Sequence, residues 1–155
     1  MVESNMNRSI WPSCSQIVEK PWGYERQWST MLPLDGKVLY INTGARTSMK
    51  MFEAKNEVLF VQYGAVTATV ADESIFCDDR VGFRELKLDE GDVLNIQAGC
   101  PYRLEATDGD AIVVEISNGL APECVRFDDD FGRKTHKDRA LLIHKKLERL
   151  EDDRN

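Results

Sequence analysis

Short apolar segments, most of them alternating with polar residues, recur along the middle of the chain. They occupy residues 37–43, 48–53, 57–63, 65–71, 84–88, 93–96, 102–106 and 111–116. Alternation of this kind, with many β-branched and aromatic residues, is typical of strands because successive strand side chains point to opposite faces. The pattern therefore predicts eight or more short strands at the spacing of hairpins.

Turn-forming residues separate these segments. Gly64 ends one strand, and turn signals at residues 89–92, 97–101 and 108–110 separate the later ones. The chain shows neither strand–helix alternation nor a repeat long enough for a solenoid. Many short strands without crossover helices indicate an all-β closed barrel or jelly roll.

The two ends of the chain differ from this middle part. Residues 1–19 are mostly polar and predict a flexible N-terminal arm or a loose strand. A short motif follows, in which Pro21 favours an extended entry and Trp22 and Tyr24 are expected to anchor the chain. The predicted domain organisation is thus an arm at 1–19, a barrel at 20–133, and a helix and tail at 134–155.

The C-terminal segment predicts a helix. Thr135 is a candidate N-cap, and residues 136–151 contain neither Gly nor Pro. Steps of three and four residues place one set of apolar side chains on one face: Ala140, Ile143, Leu147 and Leu150. Such a face packs either on the chain's own barrel or on a partner protein, and the sequence leaves both alternatives open.

Composition restricts the classes of partner. The 155 residues carry a net charge of −7, which argues against nucleic-acid binding and against attachment to anionic membranes. The first residues lack the apolar core of a signal peptide, so we expect a cytoplasmic protein. The four cysteines are too widely spaced for a zinc knuckle and are expected to be free thiols: Cys14, Cys77, Cys100 and Cys124.

Four segments together resemble a known family. They are the Lys-Pro-Trp-Gly-Tyr-Glu motif at 20–25, the stretches 44–64 and 91–102, and the motif at 125–133. In combination they resemble the cupin superfamily, and within it the C-terminal cupin domain of type II mannose-6-phosphate isomerases. The resemblance covers about residues 20–133 and implies a cupin-type double-stranded β-helix, a jelly-roll barrel. The C-terminal α-helix predicted from the sequence pattern lies outside it.

The resemblance also locates the positions at which metal-binding cupins carry three histidines and a glutamate. In this chain those positions hold Lys50, Phe52, Glu57 and Tyr102. Only Glu57 has a ligand type, and both histidines, His136 and His144, lie in the C-terminal segment. We therefore expect no metal, no cofactor and no catalytic residue of the metal-dependent kind.

The same positions suggest two other roles. Lys50 and Glu57 could form a buried ion pair in place of the metal, or act as an oxyanion donor and a base. Lys50, Tyr102 and Arg103 could instead bind a sugar phosphate at the barrel mouth, which Arg133 in the last motif could also reach. Arg103 alternates with Tyr102, so we expect it on the opposite face as a surface charge; for Arg133 a role in an ion pair is equally open.

These observations leave two functional hypotheses. The first is a metal-free, non-catalytic dimerisation or scaffold module, expected as a homodimer with a possible protein partner on the C-terminal helix. The alternative is a sugar-phosphate or nucleotide-sugar binding protein, or an isomerase- or epimerase-like enzyme related to mannose-6-phosphate isomerase. Because most of the metal-ligand positions lack a ligand residue, the sequence favours the first hypothesis, in which the protein is not an enzyme.

Overall fold

The computed structural model describes residues 12–28, 34–71, 82–118 and 124–136. The apolar face predicted for the C-terminal helix, Ala140, Ile143, Leu147 and Leu150, lies outside the described residues, as do Cys77 and His144. Within the described residues, no helix is long and apolar enough to cross a membrane.

The described residues form eleven strands. Their bounds are β1 Gln16–Lys20, β2 Gly23–Gln27, β3 Asp35–Ile41, β4 Met49–Met51, β5 Glu57–Tyr63, β6 Val66–Ala71, β7 Phe83–Leu88, β8 Val93–Ile96, β9 Tyr102–Glu105, β10 Ala111–Ser117 and β11 Val125–Asp128. The prediction of an all-β fold is confirmed for this part of the chain. Eight of the strands match the predicted segments to within about two residues at each end.

The strands form two antiparallel sheets. The six-stranded sheet has the order β1-β2-β3-β10-β5-β8, and the five-stranded sheet has the order β11-β4-β9-β6-β7. Strand β10 lies between β3 and β5, so segments distant in sequence complete the sheet. The inner faces of the two sheets bury the apolar side chains of the alternating segments, as the period of two requires.

The core between the sheets follows the predicted alternation. On β5, Leu59 and Val61 are buried, whereas Val58 and Phe60 are exposed. The same core includes Trp22, Leu39, Ile41, Val66, Leu104 and Val113. The expected anchoring role of Trp22 is confirmed by its burial. Tyr24 instead stacks on Tyr40, with ring centroids 4.2 Å apart.

Strands β1, β2 and β11 lie where the sequence predicted no definite strand. Strand β1 is an edge strand that pairs only with β2, and most of its side chains are exposed. An edge strand without a buried face shows little apolar alternation, which is why its sequence resembled a polar arm. It spans the predicted boundary at residue 19. Strand β11, in the motif that was expected to leave the barrel, pairs with β4.

Gly23 fixes the hairpin between β1 and β2. Its φ is +144°, and a Cβ atom at this position would lie 1.9 Å from the carbonyl oxygen of Tyr40 on the next strand. Gly44 also has a positive φ, of +73°, but a Cβ there would meet nothing within 4 Å. Alanine substitutions at these two glycines therefore separate the free-energy cost of a positive φ from that of a steric clash.

We expect Gly23→Ala to cost about 3 kcal/mol or more of unfolding free energy, because β2 and β3 must separate to admit the methyl group. Gly44→Ala, the matched control, should cost about 1 kcal/mol, the penalty of positive φ alone. Urea denaturation of both variants measures the difference. Equal losses would show that the close approach at Gly23 does not constrain the hairpin.

Candidate functional site

A cavity of about 260 Å³ lies between the two sheets. It adjoins the apolar core, since Trp22, Leu39 and Leu104 belong to both. Six cationic side chains line it: Lys20, Lys37, Lys50, Lys55, Arg126 and Arg133. Glu25 is the acidic side chain among the described lining residues. A chain with a net charge of −7 therefore contains a cavity with a predominantly basic wall.

Ion pairs neutralise part of this wall. Lys37 lies opposite Glu115 across β3 and β10, and its Nζ is 3.4 Å from Glu115 Oε2 and 3.3 Å from Glu25 Oε1. Lys20 Nζ is 3.4 Å from the other oxygen of Glu25. Each carboxylate thus lies between two cations, which is how buried charges are usually stabilised.

The network continues behind the cavity wall. Lys55 Nζ is 2.9 Å from Glu115 Oε1 and 3.2 Å from Glu57 Oε1. Glu115 and Glu57 are almost completely buried, with 1% and 2% of their surfaces exposed. Three lysines and three glutamates therefore alternate from Lys20 to Glu57, and this set is termed the buried charge network below.

The two buried carboxyl groups respond differently to their surroundings. Burial by itself would raise the pKa of Glu115, but Lys37, Lys50 and Lys55 outweigh it and hold that pKa well below its usual range. Burial raises the pKa of Glu57, and the charge of Glu115 raises it further. Glu115 therefore carries the fixed negative charge, while Glu57 is the carboxyl group that accepts a proton more readily.

The predicted ion pair between Lys50 and Glu57 is wrong. Lys55, in the connection between β4 and β5, takes the place of Lys50 beside Glu57. Lys50 lies on β4 of the five-stranded sheet, whereas Glu57 begins β5 of the six-stranded sheet. The Nζ atom of Lys50 faces two aromatic rings instead, 4.8 Å from the centroid of Phe52 and 5.4 Å from that of Tyr102.

Lys50 belongs to a row of polar side chains across three strands. It is the register partner of Arg126 on β11 and of Tyr102 on β9, and all three line the cavity. Arg126 donates hydrogen bonds to neutral groups, namely Ser48 Oγ at 3.2 Å, the Lys134 carbonyl oxygen at 3.2 Å and Cys124 Sγ at 3.6 Å. This set of Arg126, Lys50 and Tyr102 is termed the cationic row.

The cationic row lacks a negative partner. Among the described residues, neither Lys50 nor Arg126 forms an ion pair with a carboxylate. Like charges that face each other across a strand pair are destabilising. Burial, and then the charge of Lys37, lower the pKa of Lys50. The row therefore holds positive charge without a direct ion pair in the described part of the chain, and Glu57 and Glu115 act on Lys50 only from behind the cavity wall.

Tyr102 adds an unused hydrogen-bonding group. Only 1% of its surface is exposed, and its hydroxyl has no hydrogen-bond partner within the described residues. Most buried polar groups in native proteins have a partner. Burial raises the pKa of Tyr102 well above its ordinary value, with a further contribution from Glu57, so the hydroxyl is a neutral donor at the cavity wall.

The two other predicted arginines have different surroundings. Arg103 is buried and donates to Asp128 Oδ2 at 2.7 Å, so the expected surface role is wrong. Its strand parity places it on the face away from the cavity, as predicted. Arg133 lines the cavity and is also bound by Asp129, with Nε 3.1 Å from Oδ1. Arg133 therefore forms an ion pair at the cavity wall, and its role in ligand binding stays a prediction.

Of the five pocket candidates, four line the cavity, namely Lys50, Phe52, Tyr102 and Arg133. Glu57 lies behind the wall, in the buried charge network. Sequence reasoning missed Lys37, Lys55, Glu115 and Arg126. The sequence did contain a sign of Glu115. This residue interrupts an apolar strand two positions after the buried Val113, so its side chain points to the same, inner face.

The donor set does not fit a metal ion. Within the four described ranges, no group of three or more His, Cys, Asp or Glu side chains is arranged to hold one. The carboxylates of the buried charge network are occupied by ammonium groups, and the charges left over at the wall are positive. A divalent cation requires several oxygen, nitrogen or sulfur donors without competing cations.

Comparison with known proteins supports the fold assignment. No family profile matches the sequence, and no curated protein matches it. A mutant of oxalate decarboxylase from Bacillus subtilis superposes with a TM-score of 0.65 and 16% identity, over 84% of this chain and 34% of that one. The capsular polysaccharide assembling protein CapF from Staphylococcus aureus gives 0.60 and 15%, over 74% and 34%.

This chain therefore spans about a third of the length of each of these proteins. Both are cupin-family proteins, so the chain has the fold of the cupin superfamily. At sequence identities this low, the similarity concerns the fold alone.

We expect Glu115→Gln to cost about 3 kcal/mol or more of unfolding free energy, because it leaves Lys37 and Lys55 without their shared buried carboxylate. Glu57→Gln, the matched control, should cost about 1 kcal/mol or less, since Lys55 keeps Glu115. Chemical denaturation at neutral pH measures both. If the two losses were the same, Glu115 would not be the centre of the network.

The same network predicts a pH dependence. A carboxyl group whose pKa is depressed in the folded state stabilises the fold above its ordinary pKa of 4.5, and that stabilisation is lost as the pH falls below it. The unfolding free energy of the wild type should therefore fall more steeply than that of Glu115→Gln below about pH 4.5. Parallel pH profiles for the two proteins would contradict this assignment.

Proposed function

We propose that this chain is a metal-free cupin-fold protein whose barrel cavity binds a small organic anion. The observation that carries the proposal is the cationic row, in which Lys50 and Arg126 face each other at the cavity wall without a carboxylate. An oxyanion between them would supply the negative charge that the described residues lack. Arginine and lysine are the usual donors to carboxylates and phosphates.

The charge balance of the site supports this proposal. With all its groups ionised, the buried charge network is neutral, because three lysines offset three glutamates. Arg133 is offset by Asp129. Lys50 and Arg126 remain as the two basic side chains of the cavity wall without an ion-pair partner among the described residues, and they match a dianionic phosphate or two carboxylate groups.

The size of the cavity limits the ligand. Pockets for drug-sized ligands are about 300–1,000 Å³, and the cavity of about 260 Å³ is below that range. A compound of a few carbons, such as a sugar phosphate or a small carboxylate, suits this volume. A nucleotide sugar would have to place most of its atoms outside the cavity.

The resemblance of the motifs to type II mannose-6-phosphate isomerases favours a sugar phosphate. The name of one fold neighbour, oxalate decarboxylase, points to a small carboxylate instead. Both ligands offer the same oxyanion chemistry to the cationic row. The binding experiments must therefore include both a sugar phosphate and a small carboxylate. The proposed role is binding of the anion without metal chemistry.

We expect mannose 6-phosphate or oxalate to raise the melting temperature in a thermal-shift assay, whereas mannose should not, because it lacks the anion. Lys50→Met and Arg126→Met should each weaken binding about tenfold or more, as expected for loss of a charge-assisted hydrogen bond worth about 1.5–3 kcal/mol. Isothermal titration calorimetry measures the change.

Lys87→Met is the control, because Lys87 is an exposed lysine that pairs with Asp108 away from the cavity. The affinity of the Lys87→Met variant for the anion should equal that of the wild type. The proposal fails if no anion in the panel binds, or if the three variants bind the anion equally well.

A second candidate function, self-association, is favoured by the outer face of the six-stranded sheet. Five of its apolar side chains are exposed by 39–58%: Val58, Phe60, Tyr63, Val93 and Ile116. The register pairs Phe60 with Val93 and Val58 with Ile116, so they form a continuous patch. Contiguous exposed apolar patches mark interaction sites.

The expected occupant of this patch is a second copy of the chain. The intervening outward positions on the same strands, Gln62 and Asn95, are uncharged. In a chain with a net charge of −7, a patch without outward-facing carboxylates on its three strands β5, β8 and β10 is where two copies meet with the least repulsion. This supports the homodimer expected from the sequence and the scaffold role that goes with it.

Phe60→Asp should convert a dimer into a monomer, because it places one carboxylate from each copy in the apolar interface. Phe131→Asp is the matched control, since Phe131 is also 39% exposed but lies outside that sheet. Multi-angle light scattering gives the mass of each species. A wild type that is monomeric at all accessible concentrations, or a dimeric Phe60→Asp, would contradict self-association through this face.

A further inference from the structure

We propose that Lys50 is an amine nucleophile that forms an imine with a carbonyl carbon of the bound anion. This inference rests on the proposed anion binding and adds a covalent step to it. The ligand class is a small anion that also carries an aldehyde or ketone, such as an α-oxo acid or a phosphorylated aldehyde.

Lys50 differs from the other three lysines of the cavity. Lys20, Lys37 and Lys55 each lie within 3.4 Å of a carboxylate oxygen, which stabilises their ammonium form. An ammonium group has no lone pair with which to attack a carbonyl. Lys50 has no ion pair among the described residues, and its Nζ lies over the rings of Phe52 and Tyr102.

Burial increases the share of free amine at Lys50, in equilibrium with the ammonium form that the rings of Phe52 and Tyr102 and a bound anion stabilise. Burial lowers its pKa, and the neighbouring charge of Lys37 lowers it further, while Glu57 and Glu115 oppose the shift without cancelling it. An apolar pocket and an adjacent cation are the two features that activate lysine nucleophiles in general. Here both act on one side chain, at the wall of a cavity.

The neighbours of Lys50 in the cationic row match the other groups of such a ligand. Arg126, its partner on β11, presents a guanidinium group that suits the carboxylate or phosphate. The ring of Tyr102, its partner on β9, bounds the same part of the cavity, with its centroid 5.4 Å from Nζ.

The covalent step balances without any further reactant. The neutral amine of Lys50 adds to the carbonyl carbon, and a C–N bond forms. The carbonyl oxygen then leaves as water, carrying the two hydrogens that were on the amine, and a C=N bond remains. No group is oxidised or reduced, and water reverses the reaction.

Borohydride trapping of the full chain tests this inference. The protein is incubated with pyruvate, or with glyceraldehyde 3-phosphate, and sodium borohydride then reduces any imine to a stable secondary amine. Peptide mass spectrometry locates the adduct. We expect labelling of Lys50 to exceed that of the surface lysines several-fold, because burial lowers its pKa and so increases its share of free amine. Lactate, which has the carboxylate but no carbonyl, should protect Lys50.

Variants separate the chemistry from binding. Lys50→Met and Lys50→Arg should lose the dominant adduct, and the arginine variant keeps the positive charge if the methionine variant is unstable. Lys20→Met, which removes an ion-paired lysine of the same cavity, should keep the adduct on Lys50.

The outcomes distinguish this inference from the proposed function. If the anions bind by calorimetry but neither carbonyl probe labels Lys50 above the surface lysines, the inference is wrong and anion binding stands. If no anion binds and no adduct forms, both fail. Labelling that survives in Lys50→Arg would place the reactive amine elsewhere and would also overturn the inference.

Discussion

The burial of charge inside a small barrel is the constraint on which the rest of this structure depends. Taking an ion out of water costs several kcal/mol unless partners compensate it. The chain meets that constraint with an alternating series of lysines and glutamates that begins at the partly exposed Lys20 and ends at the buried Glu57. Each carboxylate between these ends contacts two ammonium groups, so several ion pairs together offset the desolvation free energy of the buried charges.

This network also explains why the cavity is basic. Glu115 and Glu57 lie behind the wall, and the lysines that neutralise them reach toward the cavity. Lys50 and Arg126 then contribute charge from the opposite sheet, where the alternate positions are the fully buried Met49, Met51 and Phe127. Strands β4 and β11 thus present cations on the face toward the cavity and pack apolar side chains on the other, as the two-residue period of strands dictates.

The chain has a cupin fold with a basic interior. The positions at which the sequence resemblance places metal ligands hold an amine, an aromatic ring, a carboxyl group and a phenol. The Nζ atom of Lys50 lies over the rings of both Phe52 and Tyr102, which makes this end of the barrel a cationic and aromatic pocket. The fold fixes where side chains converge, and the side chains determine which chemistry occurs there.

The sequence by itself determined the strands of the barrel, since alternation at a period of two is a local property that each segment carries independently. It also identified Lys50, Phe52, Tyr102 and Arg133 as pocket candidates, because strand parity and motif spacing place them on the inner face. It did not reveal β1, whose exposed edge position leaves no apolar pattern to recognise.

Only the tertiary structure decided which charges meet. Lys55 rather than Lys50 binds Glu57, because Lys50 lies on β4 of the other sheet, whereas Lys55 lies in the connection that leads into β5. Glu115, 60 residues from Lys55 in sequence, became the centre of the network because β10 lies between β3 and β5 in the six-stranded sheet. The order of strands in a sheet brings these distant residues side by side, and no local pattern in the chain records that order.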